Sequence, residues 1–168
     1  MDKVIVVKND DGSVAVVHPA PAMFDINSRD RNELHAKGTL HINATDDQVY
    51  DFIILRSKLE GKSYRKAQLT ALPTDRVFRN AWTDDNPTET VDIDLPKAKE
   101  IKKDYFRELR KPKLDALDVE FMRAVEVDDK RLQKEISDKK QALRDVTSLE
   151  LPDDIEALKA FTPDILED

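Results

Sequence analysis

The stretch "DKRLQKEISDKKQALRDV", Asp129 to Val146, decides how the rest of the chain is read. Leu132, Ile136, Lys139, Leu143 and Val146 follow one another at intervals of 4, 3, 4 and 3. That heptad-like seam is what a helix needs to lie along another helix, in a coiled coil or an antiparallel hairpin. Asp128 or Asp129 stands ahead of it as an N-cap. Pro152 ends the region beyond it, and "DDIEALKAF" (Asp153 to Phe161) reads as one last short amphipathic helix.

Toward the N-terminus, "EVDDK" (Glu126 to Lys130) is a turn, and the helix before it starts at Pro96. Proline suits a first helical position because its missing N–H would find no partner there. Up to Pro112 the apolar face is Ala98, Ile101, Tyr105 and Leu109; after it, Leu114, Leu117, Phe121, Ala124 and Val125. Pro112 removes one helix hydrogen bond, so a kink or a break is expected there. Tyr105, Phe106, Phe121 and Met122 lie on more than one face, which one intramolecular partner cannot cover. The hairpin is therefore expected to pack against another subunit, either a second copy or a different protein.

Before Pro96 the patterning changes. "KVIVVKNDDGSVAVVHP" has two β-branched runs around Asp11-Gly12, a dipeptide suited to the positive φ angles of a hairpin turn. Pro19 and Pro21 stop the second strand. Residues 22–44 carry little pattern, with "GTLHI" (Gly38 to Ile42) as a short strand. Thr45 or Asp46 then caps a helix whose apolar face is Val49, Phe52, Ile53 and Leu59, with Gly61 past its end. "SYRKAQL" (Ser63 to Leu69) reads as another strand, and Phe78 and Trp82 as core aromatics. "DDNPTETVDIDLP" (Asp84 to Pro96) is an acidic connector with a short strand at Val91 to Ile93. The fold class expected is α+β: a small α+β domain with a β-hairpin over residues 1–94, then an α-helical hairpin and a short C-terminal helix over 95–168.

Little chemistry is legible. The chain of 168 residues has no cysteine, which removes disulfides, thiolate metal sites and thiol nucleophiles. His18, His35 and His41 form no metal-binding spacing, and Gly12, Gly38 and Gly61 lie too far apart for a phosphate loop. Paired aspartates sit where turns and helix starts favour them. No apolar run approaches the ~20 residues that span a bilayer, and "MDKVIVVKND" lacks the cleavage site of a signal peptide. The expectation is a non-enzymatic protein with no cofactor, no metal and no membrane.

Charge is uneven. The net −7 divides into +3 over Lys97–Asp145, with 15 basic and 12 acidic residues, and −10 over the rest. Lys97 to Lys113 holds eight basic residues against Glu100, Asp104 and Glu108. A nucleic-acid reading would set Arg107, Arg110, Lys111 and Lys113 on phosphates, with Tyr105 and Phe106 stacking. The acidic residues recur every four positions, however, which suits intrahelical pairs with Lys97, Lys103 and Lys111 or Lys113. Nucleic acid is the weaker expectation.

"RELRKPKLDALDVEFMRAVEVDDKRLQKEISDKKQALRDV" (Arg107 to Val146) resembles small proteins of tailed bacteriophages, including tail and tail-fibre assembly chaperones. In those a similar helical hairpin ends on an Arg-Gln-x-Leu-Arg-Asp type of string. The matching positions are Arg107, Arg110, Leu114, Asp118, Gln141, Leu143, Arg144 and Asp145. Lys140 stands where arginine is common, and Val119 where an aromatic often follows the aspartate. "PTDRVFRNAW" is separately similar to a string of phage and prophage proteins. The resemblance covers about 40 of 168 residues. It implies a virion structural protein, tail-, fibre- or neck-associated, made in the host cytoplasm and bound to other virion proteins. The alternative is an assembly chaperone absent from the mature particle. Physically, Leu143 suits the seam and Arg144 the C-terminal end of the helix dipole. Arg107 and Arg110 with Asp145 are candidates for forked Arg–carboxylate pairs closing the hairpin. With Phe121 these residues form a clasp or, as the sharper alternative, a recognition surface for a fibre or tail protein.

Overall fold

A computed structural model describes residues 3–86 and 90–167. Residues 87–89 of the acidic connector, and Met1, Asp2 and Asp168, lie outside them. The chain has an N-terminal antiparallel sheet and C-terminal long helices, an α+β fold, and divides into two compact units, Met1–Ile93 and Asp94–Asp168.

In the first unit β1 (Lys3–Lys8) is the middle strand of the antiparallel order β2-β1-β3, between β2 (Val14–Val17) and β3 (Ser63–Gln68). The unbroken run Val4-Ile5-Val6-Val7 is explained by its position. Ile5 and Val7 pack with Val49, Tyr50, Ile53 and Ile54 on one face. Val4 and Val6 pack with Leu72, Trp82 and Val91 on the other. All four are at most 3% exposed, and burying each contributes roughly 1.5–3 kcal/mol. The hairpin closes through Gly12 N–H donating to the Asn9 carbonyl at 2.9 Å, with Gly12 at φ 78°. Only Gly12 of the Asp11-Gly12 pair takes a positive φ, so the loop is the form with a single glycine in the left-handed region.

Residues 22–44 differ from expectation. α1 (Arg29–Ala36) forms where no helix is expected, capped by the Ser28 hydroxyl, which accepts from Arg31 N–H at 3.1 Å. "GTLHI" is not a strand. Gly38, at φ 67°, turns the chain so that Thr39 N–H returns to the Leu34 carbonyl at 2.9 Å. The Arg31 guanidinium holds the segments on either side of the helix, donating to the carbonyls of Met23 (2.7 Å), Ile42 (3.1 Å) and Ala44 (2.8 Å). Within that segment the Ile42 carbonyl accepts from Arg31 and the His41 carbonyl from Ala44 N–H, bonds to a side chain and a turn in place of a ladder.

α2 (Asp46–Arg56) starts on a capping box between Thr45 and Gln48. It ends earlier than Gly61 suggests, because Lys58 adopts φ 54° and Leu59 N–H closes on the Ile54 carbonyl. β4 (Trp82–Thr83) pairs with β5 (Asp92–Ile93), and Phe78 and Trp82 are buried. Arg65 and Asp84 make a forked pair at 2.7–3.1 Å, nearly closed to solvent, and the carboxylate holds the Arg65 pKa above its ordinary value.

The second unit is built along α3 (Leu95–Glu126), whose 32 residues extend about 48 Å. Asp94 caps it by accepting from Lys97 N–H. No break occurs at Pro112, and the helix runs through it. Pro112 and Glu108 are both exposed, so the carbonyl left without a partner faces water. Asp128, at φ 53°, makes the turn, and Asp129 caps α4 (Lys130–Asp145) through Leu132 N–H. Contacts between the two helices pair Ala124 with Gln133, Asp118 with Lys140, and Arg110 with Leu143 and Arg144. Partners that separate along the chain in this order define an antiparallel hairpin.

α4 has 16 residues, half the length of α3. The rest of α3 is covered by the C-terminal strap, which includes α5 (Ile155–Ala160). The strap runs down to Lys99, which pairs with Asp153 at 2.5 Å, and passes Lys102, which donates to the Lys159 carbonyl. It then returns past Phe106, against Phe161, to Lys113, which donates to the Glu167 carbonyl. The helix face predicted as Ala98, Ile101, Tyr105 and Leu109 is thus rotated. Phe106 is fully buried and Tyr105 is half exposed, because the strap approaches from Phe106's side. Val125 is exposed likewise, and in α4 Leu132 is partly exposed and Lys139 lies at the surface.

Candidate functional site

The hairpin brings some of the resembling residues together and separates others. Leu143 is buried in the seam with Ile136, and Leu114 is half-buried. Arg110 reaches across from α3, but not to a carboxylate. It donates to the Arg144 carbonyl at 2.8 Å and to the Leu143 carbonyl at 3.5 Å. These carbonyls belong to the last turn of α4, where the Arg144 carbonyl also accepts from the Thr147 hydroxyl at 3.3 Å, and a cation there opposes the negative end of the helix dipole.

The forked pairs expected with Asp145 do not form. Asp145 accepts from Gln141 on its own helix at 2.8 Å, and Arg107 pairs with Asp104 on α3. Both arrangements are local, because side chains three or four residues apart on one helix meet without bridging to another. Arg144 sits in the last turn of α4, exposed, with its side chain outside the seam.

Asp118 is held by Lys140, the residue that departs from the resembling string. Lys140 also lies over the Phe121 ring, 5.3 Å from its centroid, so one lysine joins Asp118 and Phe121 of α3 to α4. The i to i+22 spacing carries no sequence signal, because it depends on hairpin register. Phe121 is half-buried, and Phe106 is covered by Phe161. Of the four residues expected to need a second subunit, Tyr105 and Met122 remain exposed, at 49% and 59%. Val119 and Val125 join them on α3.

The basic run is largely engaged within the chain. Lys103 pairs with Glu100 at 2.8 Å, Lys97 with Asp94 at 3.9 Å, and Lys99, Lys102, Arg110 and Lys113 all reach other segments of this unit. Lys102 is 6% exposed, faces the Tyr105 and Phe106 rings at 5.3 and 5.6 Å, and burial pushes its pKa down. Sequence reading missed it, since the Lys159 carbonyl that accepts from it, 57 residues away, comes within reach only when the strap folds back.

Among the described residues, no group of three or more His, Asp or Glu side chains could hold a metal ion. No helix there is long and apolar enough to cross a membrane. His35 and His41 meet edge to face at 5.6 Å, and His41 Nδ1 accepts from Asn43 N–H, a local turn bond. The hairpin presents apolar side chains on α3 and an apolar groove between α3, α4 and the strap, lined in part by Lys113 and Lys139. No protein-family model, no curated protein and no solved structure matches the chain.

Proposed function

We propose that this chain is a non-enzymatic structural protein of a tailed-bacteriophage virion, associated with the tail, a fibre or the neck, and that its C-terminal hairpin makes the protein–protein contacts. The observation that carries this reading is the exposed apolar set on α3. Tyr105, Val119, Met122 and Val125 are each 44–59% exposed on a helix whose other side is braced by α4 and the strap. Val119, Met122 and Val125 follow one another at intervals of three near the C-terminal end of α3, with Tyr105 about 21 Å away toward its start. Exposed large apolar side chains spaced in this way mark surfaces that another protein covers. The resemblance of Arg107 to Val146 to tail and tail-fibre assembly proteins supplies the phage context. The engagement of the basic run by carboxylates and carbonyls of its own unit favours a protein partner over nucleic acid.

A second reading, an assembly chaperone left out of the mature particle, is favoured by the same resemblance, since chaperones are among the proteins that carry the string. Mass spectrometry of purified virions of the encoding phage separates the two. Stoichiometric copies support the structural protein. Absence from particles, with co-purification of a tail or fibre protein from infected cells, supports the chaperone. Absence from both removes the phage reading altogether.

A further inference from the structure

The strap stops short of filling the angle between α3 and α4. Its last turn, Asp164 to Leu166, packs on both helices, with Leu166 buried at 4% exposure. Beside that seat the angle stays open as a groove of about 390 Å³, lined by Lys113, Ala116, Leu117, Lys139, Leu143 and Ile165. The surface it presents is apolar, with the two lysines at its edge. Lys139 makes no ion pair or hydrogen bond among the described residues.

We propose that this groove is the docking site for an acidic, aliphatic segment of a partner protein. One or two leucine or isoleucine side chains lie on the Ala116–Leu117–Leu143 floor, and a flanking carboxylate meets Lys139. The proposal refines the reading of the hairpin as a protein–protein module and rests on it. Three observations select this occupant. The neighbouring stretch of the same angle already holds a segment of that chemistry, Asp164-Ile165-Leu166-Glu167, in which an aliphatic pair stands between two carboxylates. The open groove is continuous with that seat, because Ile165 forms part of its wall. The charge at the edge is positive on an apolar floor, which attracts carboxylates and disfavours basic segments. The volume lies within the roughly 300–1,000 Å³ of established binding pockets.

The probe is a fluorescein-labelled peptide with the strap's own sequence, FTPDILED, titrated into the full chain and followed by anisotropy. Expected is saturable binding that weakens as salt is raised. It falls at least tenfold when Lys139→Glu or Ala116→Glu is introduced, and at least tenfold when the peptide is changed to FTPNILQN. Lys139 is exposed, so Lys139→Glu keeps the helical circular dichroism and serves even where Ala116→Glu disturbs packing. No saturable binding, or binding indifferent to Lys139→Glu and to the neutral peptide, overturns the proposal. Sedimentation of the chain alone as a dimer that Lys139→Glu dissociates also overturns it, by assigning the groove to a second copy. None of these outcomes depends on virion composition, so the proposal and the phage reading fail separately.

Discussion

Replacing Phe106 with alanine should destabilise the second unit far more than replacing Tyr105 beside it, although a seam read from spacing alone ranks them the other way. Phe106 is 0% exposed, and its ring lies 6.2 Å from that of Phe161 at a 56° tilt. Removing a buried phenylalanine ring costs roughly 3–5 kcal/mol in lost transfer energy and residual cavity. The aromatic pair accounts for about 0.5–1.5 kcal/mol of that. Tyr105 is 49% exposed, and its truncation loses chiefly the contact with Lys102, worth roughly 0.5–1 kcal/mol. Urea unfolding followed by far-ultraviolet circular dichroism reads the difference, because α3 alone holds 32 helical residues against 8 and 11 in α1 and α2. With a slope of about 1 kcal/mol/M, the helical midpoint should fall by roughly 3–5 M for Phe106→Ala and by at most about 1 M for Tyr105→Ala. Trp82 belongs to the first unit, so its fluorescence should keep its own midpoint. Equal shifts for the two variants, or a loss under about 1 kcal/mol for Phe106→Ala, would refute the docking of the strap on that face.

Three further outcomes are expected. Asp84→Ala leaves the Arg65 guanidinium without its forked carboxylate at a site where both side chains are at most 16% exposed, and should cost the first unit about 3 kcal/mol, read from the Trp82 fluorescence midpoint in urea. Arg110→Ala should lower the helical midpoint by the equivalent of roughly 0.5–1.5 kcal/mol, because its bond to the Arg144 carbonyl is exposed, whereas Asp145→Ala should change it little. Similar effects of the two would restore the Arg–carboxylate clasp. Lys102 has a folded-state pKa below its ordinary value of 10.5, so within that window the unfolded chain binds the extra proton and stability rises with pH. The increment should be gained as pH rises through the lowered pKa toward 10.5 and lost as it falls back. Denaturation of wild type and Lys102→Met across that range checks it, and parallel pH profiles would contradict it.

Local chemistry explains what could be read without the structure. A β-branched run, a turn glycine, a cap at Thr45 or Asp46, and an aspartate ahead of Leu132 each act within a few residues. The α+β class and the two long helices follow from such signals. α1 escaped because its helical segment has little apolar face, with only Leu34 partly buried beside charged neighbours, and because Arg31 is a charged residue used as core. Burial of its guanidinium depends on three carbonyls up to thirteen residues away, which no window of sequence displays.

The candidate site divides the same way. Ile136, Leu143 and Val146 are legible from heptad spacing and are buried, whereas Leu132 and Lys139 of the same seam stay exposed. Which carbonyls Arg110 caps, that Lys140 holds Asp118 across the hairpin, and that the strap buries Phe106 while leaving Tyr105 exposed are consequences of register and of the return of residues 149–167 along α3. Residue order alone settles which long segments are helical and which side chains are apolar enough to need cover. Which face receives that cover is settled only in the folded chain, because a 32-residue helix presents several candidate faces and the choice depends on where the chain comes back to it.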